Sequence, residues 1–183
     1  MRIFSFVVCM LASLTASAQE SRPVPRESVA GSIGTPWTYL GGTFVALADA
    51  MPADRYDFAP TRGEFAGVRT FAEQVKHVAC ANYGFFSQIA GEAPPANCAE
   101  GGPSPARNKA ELTVYLRESF AFGSRVAATL DERNMLDVVD GPYGGSRAKL
   151  EMAVLAVWHA SDHYGQLVEY LRMNGIIPPA SRR

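Results

Sequence analysis

The sequence predicts an all-α protein, a four-helix bundle that follows an N-terminal signal peptide. Apolar residues recur at helical spacing along four segments, whereas the alternation typical of strands is nearly absent. Capping residues precede these segments, and stretches rich in glycine and proline separate them. Four helices joined by loops of medium length favour a bundle.

The first 18 residues are typical of a secretory signal peptide. Arg2 precedes the apolar run Ile3 to Leu14, and the small residues Ala16 and Ala18 favour cleavage before Gln19. The apolar run is too short to anchor the chain stably in a bilayer. We therefore expect a periplasmic or secreted protein that has no membrane attachment after cleavage.

The remaining chain is long enough for one domain. Removal of 18 of the 183 residues leaves 165, in which we place an N-terminal segment (19–33), the bundle (34–179) and a C-terminal tail (180–183). Loss of Arg2 leaves 16 basic against 18 acidic residues, and no basic patch is present. This balance argues against nucleic acid as a partner.

The first helix is predicted to start at Thr35 and Pro36, an N-cap followed by a proline at the first helical position. Its apolar stripe continues to about Met51. Gly41 and Gly42 weaken the helix, and we interpret them as a place of close packing.

The second helix starts with a capping box, in which Thr70 and Glu73 bond each other's backbone amides. His77 lies on the flank of its apolar stripe. Ala81 and Gly84 lie beside His77, and their small side chains leave room for an ion or a ligand.

The third helix is predicted to start at Asn108, which forms a second capping arrangement with Glu111, and to run to about Leu130. The segments on either side of it, 91–107 and 131–145, contain several glycines and prolines. Both are predicted to be irregular loops.

The fourth helix is predicted from about Ser146 to Asn174. Gly175 stops it, and Pro178 and Pro179 follow, which matches the usual glycine C-cap and downstream proline.

The three histidines of the chain suit a metal site. His159 and His163 lie four residues apart on one face of the fourth helix, together with the apolar Met152 and Leu167, so both imidazoles should point into the core. Buried imidazoles without partners would be costly, whereas metal coordination satisfies them. With His77, they leave one of four tetrahedral positions open, which is typical of catalytic sites.

Imidazole suits zinc, nickel, copper and iron, and we expect a divalent ion, zinc or nickel. Asp162 is a candidate to orient a ring N–H of the ligands, although a solvated carboxylate is an equal alternative. Gln166 is a candidate to line the same cavity. The general base of the HExxH motif is absent, since Ala160 follows His159.

Two cysteines remain after cleavage, Cys80 and Cys98. In an oxidising compartment they could form a disulfide, and the alternatives are buried free thiols or coordination of the metal by Cys80, three residues after His77.

Two segments resemble the DinB-like (DNA-damage-inducible, YfiT-like) family. One is the fourth helix, from His159-Ala-Ser-Asp-His163-Tyr-Gly-Gln166 through Tyr170-Leu-Arg172 to Pro178-Pro179. The other is Lys76-His77-Val-Ala79, which follows the capped Thr70-Phe71. The resemblance covers residues 34–179.

This resemblance implies a bundle that is often a homodimer and that holds a divalent metal with His77, His159 and His163. Relatives include metal-dependent transferases that use small thiols in the cytosol, so an exported chain departs from them. It also implies a small-molecule substrate, which the sequence does not identify.

Three functional interpretations follow from these residues. The first is an exported metalloenzyme of transferase or hydrolase type that activates a water or a thiol. The second is a non-catalytic bundle that sequesters or senses a metal, and the third is a structural bundle with core histidines.

Overall fold

Four helices make up most of the structure, a computed structural model that describes residues 26–95, 98 and 108–182. The helices are α1 (Val29–Ala50), α2 (Phe71–Ala90), α3 (Lys109–Ala127) and α4 (Lys149–Met173). Helices α1 and α2 each pack against both α3 and α4. The predicted four-helix bundle is therefore confirmed, while the predicted signal peptide (residues 1–18) lies outside the described residues.

Helix α1 begins at Val29, upstream of the start predicted at Thr35. Ser28 is its N-cap, and the Oγ atom of Ser28 accepts a first-turn backbone N–H at 2.9 Å. Pro36 therefore lies inside the helix and lacks the N–H that would bond the carbonyl of Ser32. Both residues are exposed, so this carbonyl is open to water. The predicted start was wrong because an exposed proline can be tolerated beyond the first turn.

Close packing of α1 against α3 is found at Gly41. A Cβ atom on Gly41 would lie 2.9 Å from the ring of Phe120, whereas one on Gly42 would meet nothing within 4 Å. The indole Nε1 of Trp37 donates to the Phe120 carbonyl at 2.9 Å on the same side of the helix. The close packing predicted at Gly41 and Gly42 is thus confirmed for Gly41 only.

The predicted capping residues of α2 and α3 are confirmed. Thr70 Oγ1 accepts from the Glu73 amide at 3.2 Å, and Glu73 Oε2 accepts from the Thr70 amide at 2.7 Å. Helix α2 ends at Gly91, which has a φ of 73°. Asn108 Oδ1 accepts from the Glu111 amide at 3.0 Å and so caps α3.

A short hairpin lies between α3 and α4, where the sequence predicted an irregular loop over 131–145. Strand β1 (Val138–Asp140) pairs antiparallel with β2 (Ser146–Ala148). Helix α4 therefore begins at Lys149 and not at Ser146. The loop prediction was wrong because three-residue strands are too short to show an alternating pattern.

The start of α4 is capped by backbone carbonyls from the segment ahead of it. Its N-cap residue, Ala148, offers no side-chain acceptor. Instead, the Lys149 amide donates to the Asp137 carbonyl and the Leu150 amide to the Met135 carbonyl, each at 2.9 Å. The hairpin region thus satisfies two of the amides that a helix N-terminus leaves unpaired.

Side chains from all four helices fill the core. The largest fully buried ones include Trp37 and Phe44 of α1, Phe71 and Phe86 of α2, Leu116 of α3, and Met152 and Leu167 of α4. Among the described residues, no helix is both long and apolar enough to cross a membrane.

Candidate metal centre

Two neighbouring helices bring the three histidines of the chain together. Helix α2 carries His77 and packs against α4, which carries His159 and His163 one turn apart. Nε2 of His77 lies 3.1 Å from Nε2 of His159. The candidate ligand atoms of the three rings all lie within 4.8 Å of one another. The histidines selected from the sequence therefore form one cluster that could hold an ion.

Burial keeps these imidazoles uncharged. His159 and His163 are buried and His77 is half-buried. Desolvation is the largest cause that lowers the pKa of each ring, to about 4 for His77 and to about 3 for His159, and it also lowers the pKa of His163. The positive charge of Arg69 lowers all three further. Neutral imidazole is the form that binds a metal.

A buried glutamine orients His163. Oε1 of Gln74 lies 2.7 Å from Nδ1 of His163 and can only accept, so the Nδ1 atom carries the proton. The lone pair of His163 is then on Nε2, where an ion can bind it. The sequence analysis missed Gln74. The available signal was its position three residues before His77, which places both side chains on one face of α2.

The surroundings of His159 fit a bound metal ion. Its Nδ1 atom is buried and has no hydrogen-bond partner among the described residues, and the edge-on ring of Phe85 lies 5.4 Å from it between centroids. Nε2 of His159 faces Nε2 of His77 at 3.1 Å, so this is the atom placed to bind an ion, while Nδ1 carries the proton.

A cavity of about 630 Å³ lies between the segment ahead of α2 and the second half of α4, and its lining residues include Gln74 but none of the three histidines. Gln74 lines the cavity and also hydrogen-bonds to His163, so the cavity and the histidine cluster share this side chain. Arg69 and Gln166 line it as well. The cavity is large enough for a small molecule.

Comparison with known proteins identifies the family. The sequence profile of the DinB superfamily matches residues 40–167. The chain belongs to the DinB superfamily. The crystal structure of a DinB-like protein from Bacillus cereus ATCC 10987 is similar, with a TM-score of 0.66 and 14% sequence identity over 83% of this chain and 96% of that one. No curated protein matches the chain significantly.

In this DinB superfamily member, Asp162 hydrogen-bonds to Gln166 and not to a histidine of the cluster. Its exposed carboxylate accepts from Gln166 Nε2 at 2.8 Å, and its negative charge opposes the lowering of the His163 pKa. The ring N–H of His163 is bonded to Gln74. The orienting role that the sequence suggested for Asp162 therefore belongs, for His163, to Gln74.

The two cysteines are free thiols that meet at a tyrosine of α3. Sγ of Cys80 lies 3.3 Å and Sγ of Cys98 lies 2.6 Å from the Tyr115 hydroxyl. The two sulfur atoms are not bonded to each other in this structure, and their pairing in an oxidising compartment stays a prediction. In the described part of the chain, the ligand cluster holds the three histidines without Cys80. Cys80 instead contacts Tyr115, on the neighbouring helix α3.

Proposed function

We propose that this chain is an exported, divalent-metal-dependent enzyme of the transferase or hydrolase type that activates a water or a thiol. The observation that carries the proposal is the cluster of three neutral imidazoles, His77, His159 and His163, beside a cavity. Three histidine ligands leave one of four tetrahedral positions for a non-protein ligand, as in catalytic zinc sites. Zinc and nickel are the ions that we expect.

The residues of the cluster suit this chemistry. A bound divalent ion supplies Lewis acidity, which lowers the pKa of a water or thiol so that a nucleophile is available near neutral pH. Gln74 holds His163 in one orientation and one tautomer. Because all three ligands are uncharged, the chain leaves the positive charge of the ion unbalanced, which favours anionic ligands.

A non-catalytic protein that sequesters or senses a metal is the second candidate. It is favoured by the surroundings of the histidines, since no carboxylate in the described part of the chain hydrogen-bonds to them. Asp162, the acidic residue between two of the ligands in sequence, is exposed and bonded to Gln166. A general base for catalysis would then have to come from the substrate or the solvent.

Cobalt(II) substitution distinguishes the two candidates. We expect the cobalt-loaded protein to show a sulfur-to-cobalt charge-transfer band when 2-mercaptoethanol is added, and a pH-dependent visible spectrum near neutrality. His77→Ala is the control and should bind cobalt poorly. A spectrum that responds to neither thiol nor pH would support sequestration. Failure to bind cobalt, zinc, nickel or manganese stoichiometrically would overturn both.

The proposed export depends on residues 1–18, outside the described residues. N-terminal sequencing of protein recovered from the periplasm or medium should give Gln19 as the first residue. Retention of residues 1–18 in a membrane fraction would contradict this part of the proposal.

A further inference from the structure

The side chain of Arg69 lies at the cavity with its charge unpaired. Its backbone is fixed from both sides, because its carbonyl accepts from the Tyr170 hydroxyl of α4 at 3.0 Å and Thr70, the next residue, caps α2. Within the described part of the chain, its guanidinium forms no ion pair. The backbone of Arg69 is therefore anchored, and its side chain lines the cavity and faces solvent.

Nearby carboxylates are engaged elsewhere. Glu169 also lines the cavity, but its carboxylate pairs with Arg172 at 3.7 Å. Asp162 accepts from Gln166. Arg69 is thus the charged lining residue that has no ion-pair partner within the described part of the chain.

The remaining wall of the cavity is largely apolar. Phe65, Val68, Tyr170 and Met173 line it, and Val68 and Met173 are 38% and 52% exposed. Its volume of about 630 Å³ lies within the range of small-molecule sites. An exposed apolar surface next to an unpaired cation suits a ligand that has an apolar part and a negative charge.

We propose that this cavity binds a small organic anion, an apolar body that ends in a carboxylate. Arg69 pairs with the carboxylate, and the body lies along Phe65, Val68 and Met173. Because Gln74 lines the cavity and contacts His163, the bound anion lies next to the side chain that orients this candidate ligand. This names the substrate class of the enzyme proposed above and rests on that proposed function, although binding of the anion does not itself require the metal.

Three probes separate the contributions to binding. Calorimetric titrations with 4-phenylbutyrate, the uncharged 4-phenylbutanol and acetate are run on the zinc-loaded and the metal-free protein. We expect one 4-phenylbutyrate per chain, bound at least about tenfold more tightly than either of the other two, because only it offers both charge and apolar area.

Three variants, one of them a control, test whether Arg69 supplies the charge that binds the anion. Arg69→Gln should weaken 4-phenylbutyrate binding by about tenfold and leave 4-phenylbutanol unchanged. Arg125→Gln, at an exposed arginine of α3, is the matched control and should change neither. Val68→Glu, which adds a carboxylate and removes apolar surface from the cavity wall, should weaken 4-phenylbutyrate more than 4-phenylbutanol.

The outcomes distinguish this inference from the proposed function. Equal affinity for 4-phenylbutyrate and 4-phenylbutanol, an unchanged Arg69→Gln variant, or no binding of 4-phenylbutyrate at millimolar concentration would overturn the inference, whether or not zinc binds. Failure to bind any divalent ion would instead overturn the proposed enzymatic function. Preferential binding of 4-phenylbutyrate by the metal-free protein would still support the anion site in that case.

Discussion

Nδ1 of His163 lies 2.7 Å from Oε1 of Gln74, a residue 89 positions earlier in the chain. Gln74 also lies three residues before His77, so one face of α2 supplies both a candidate ligand and the group that orients a ligand of α4. The spacing between these two helices therefore sets the geometry of the site.

Loss of the Gln74 acceptor should weaken metal binding. We expect Gln74→Leu to lower zinc affinity by about 10- to 100-fold, because His163 would lose the partner that fixes its tautomer and orientation. Competition with a chromophoric chelator measures this. Gln74→Glu retains an acceptor for His163 and serves as the control. Equal zinc affinities in Gln74→Leu and the wild type would contradict the orienting role of Gln74.

Each histidine should be needed for the ion but not for the fold. His77→Ala, His159→Ala and His163→Ala should each sharply reduce bound metal, and the last two should keep a helical circular dichroism spectrum if the ion is functional. Asp162→Asn is the matched control between the two ligands of α4 and should retain metal, because Asp162 bonds Gln166. A variant that lost its helices with its metal would indicate a structural ion.

Acid should destabilise the metal-free protein over a window set by the histidines. An imidazole in the unfolded chain has a pKa of about 6.5, whereas burial lowers the pKa to about 4 for His77 and to about 3 for His159. As pH falls below about 6.5, the unfolded state therefore binds more protons than the folded state. Stability is fully present above that pH and is lost progressively as pH falls through the two folded-state values.

Urea titrations of the metal-free protein at several pH values between about 7 and about 4 measure this loss. Carboxylates contribute to acid unfolding as well, so His159→Gln is the control and should show a shallower dependence on pH. If the free energy of unfolding depended on pH equally in the variant and the wild type, His159 would not be the group responsible for the loss of stability in acid.

The two thiols should differ in reactivity. Hydrogen bonding from the Cys80 thiol lowers the pKa of Cys98 to about 7, while hydrogen bonding to Cys98 and burial raise the pKa of Cys80. Because the thiolate is the nucleophile, iodoacetamide should modify Cys98 faster than Cys80 near neutral pH, as measured by peptide mass spectrometry. Tyr115→Phe, which keeps the ring but lacks the hydroxyl that both thiols contact, is the comparison variant. Faster modification of Cys80 than of Cys98 in the wild type would contradict the predicted order of reactivity.

The ligands of the site were predictable because their relation is local. Spacing of four residues places His159 and His163 on one helical face whatever surrounds the helix. Gln74 was not predictable, since a glutamine on a helix is ordinary until another helix brings an imidazole opposite to it. The direction of Cys80 likewise depends on the position of α3, which only the packed bundle defines.

The same distinction applies to the helix ends. Thr70 and Asn108 were predicted correctly because each bonds a backbone amide three residues away. The start of α1 was misplaced because Pro36 suits a first turn in isolation. The start of α4 was misplaced because Ser146 pairs with Asp140 in the hairpin, a contact outside the local sequence pattern.

The backbone capping of α4 implies an order of assembly for the two halves of the site. Helix α2 carries its own start signal in Thr70 and Glu73, whereas the first amides of α4 depend on the carbonyls of Asp137 and Met135. During refolding, we therefore expect zinc uptake, followed with a chromophoric chelator, to lag behind the helical signal at far-ultraviolet wavelengths. Uptake that precedes the helical signal would contradict this order. Chains in which the hairpin has not closed would then lack an ordered start of α4, the helix that carries His159 and His163.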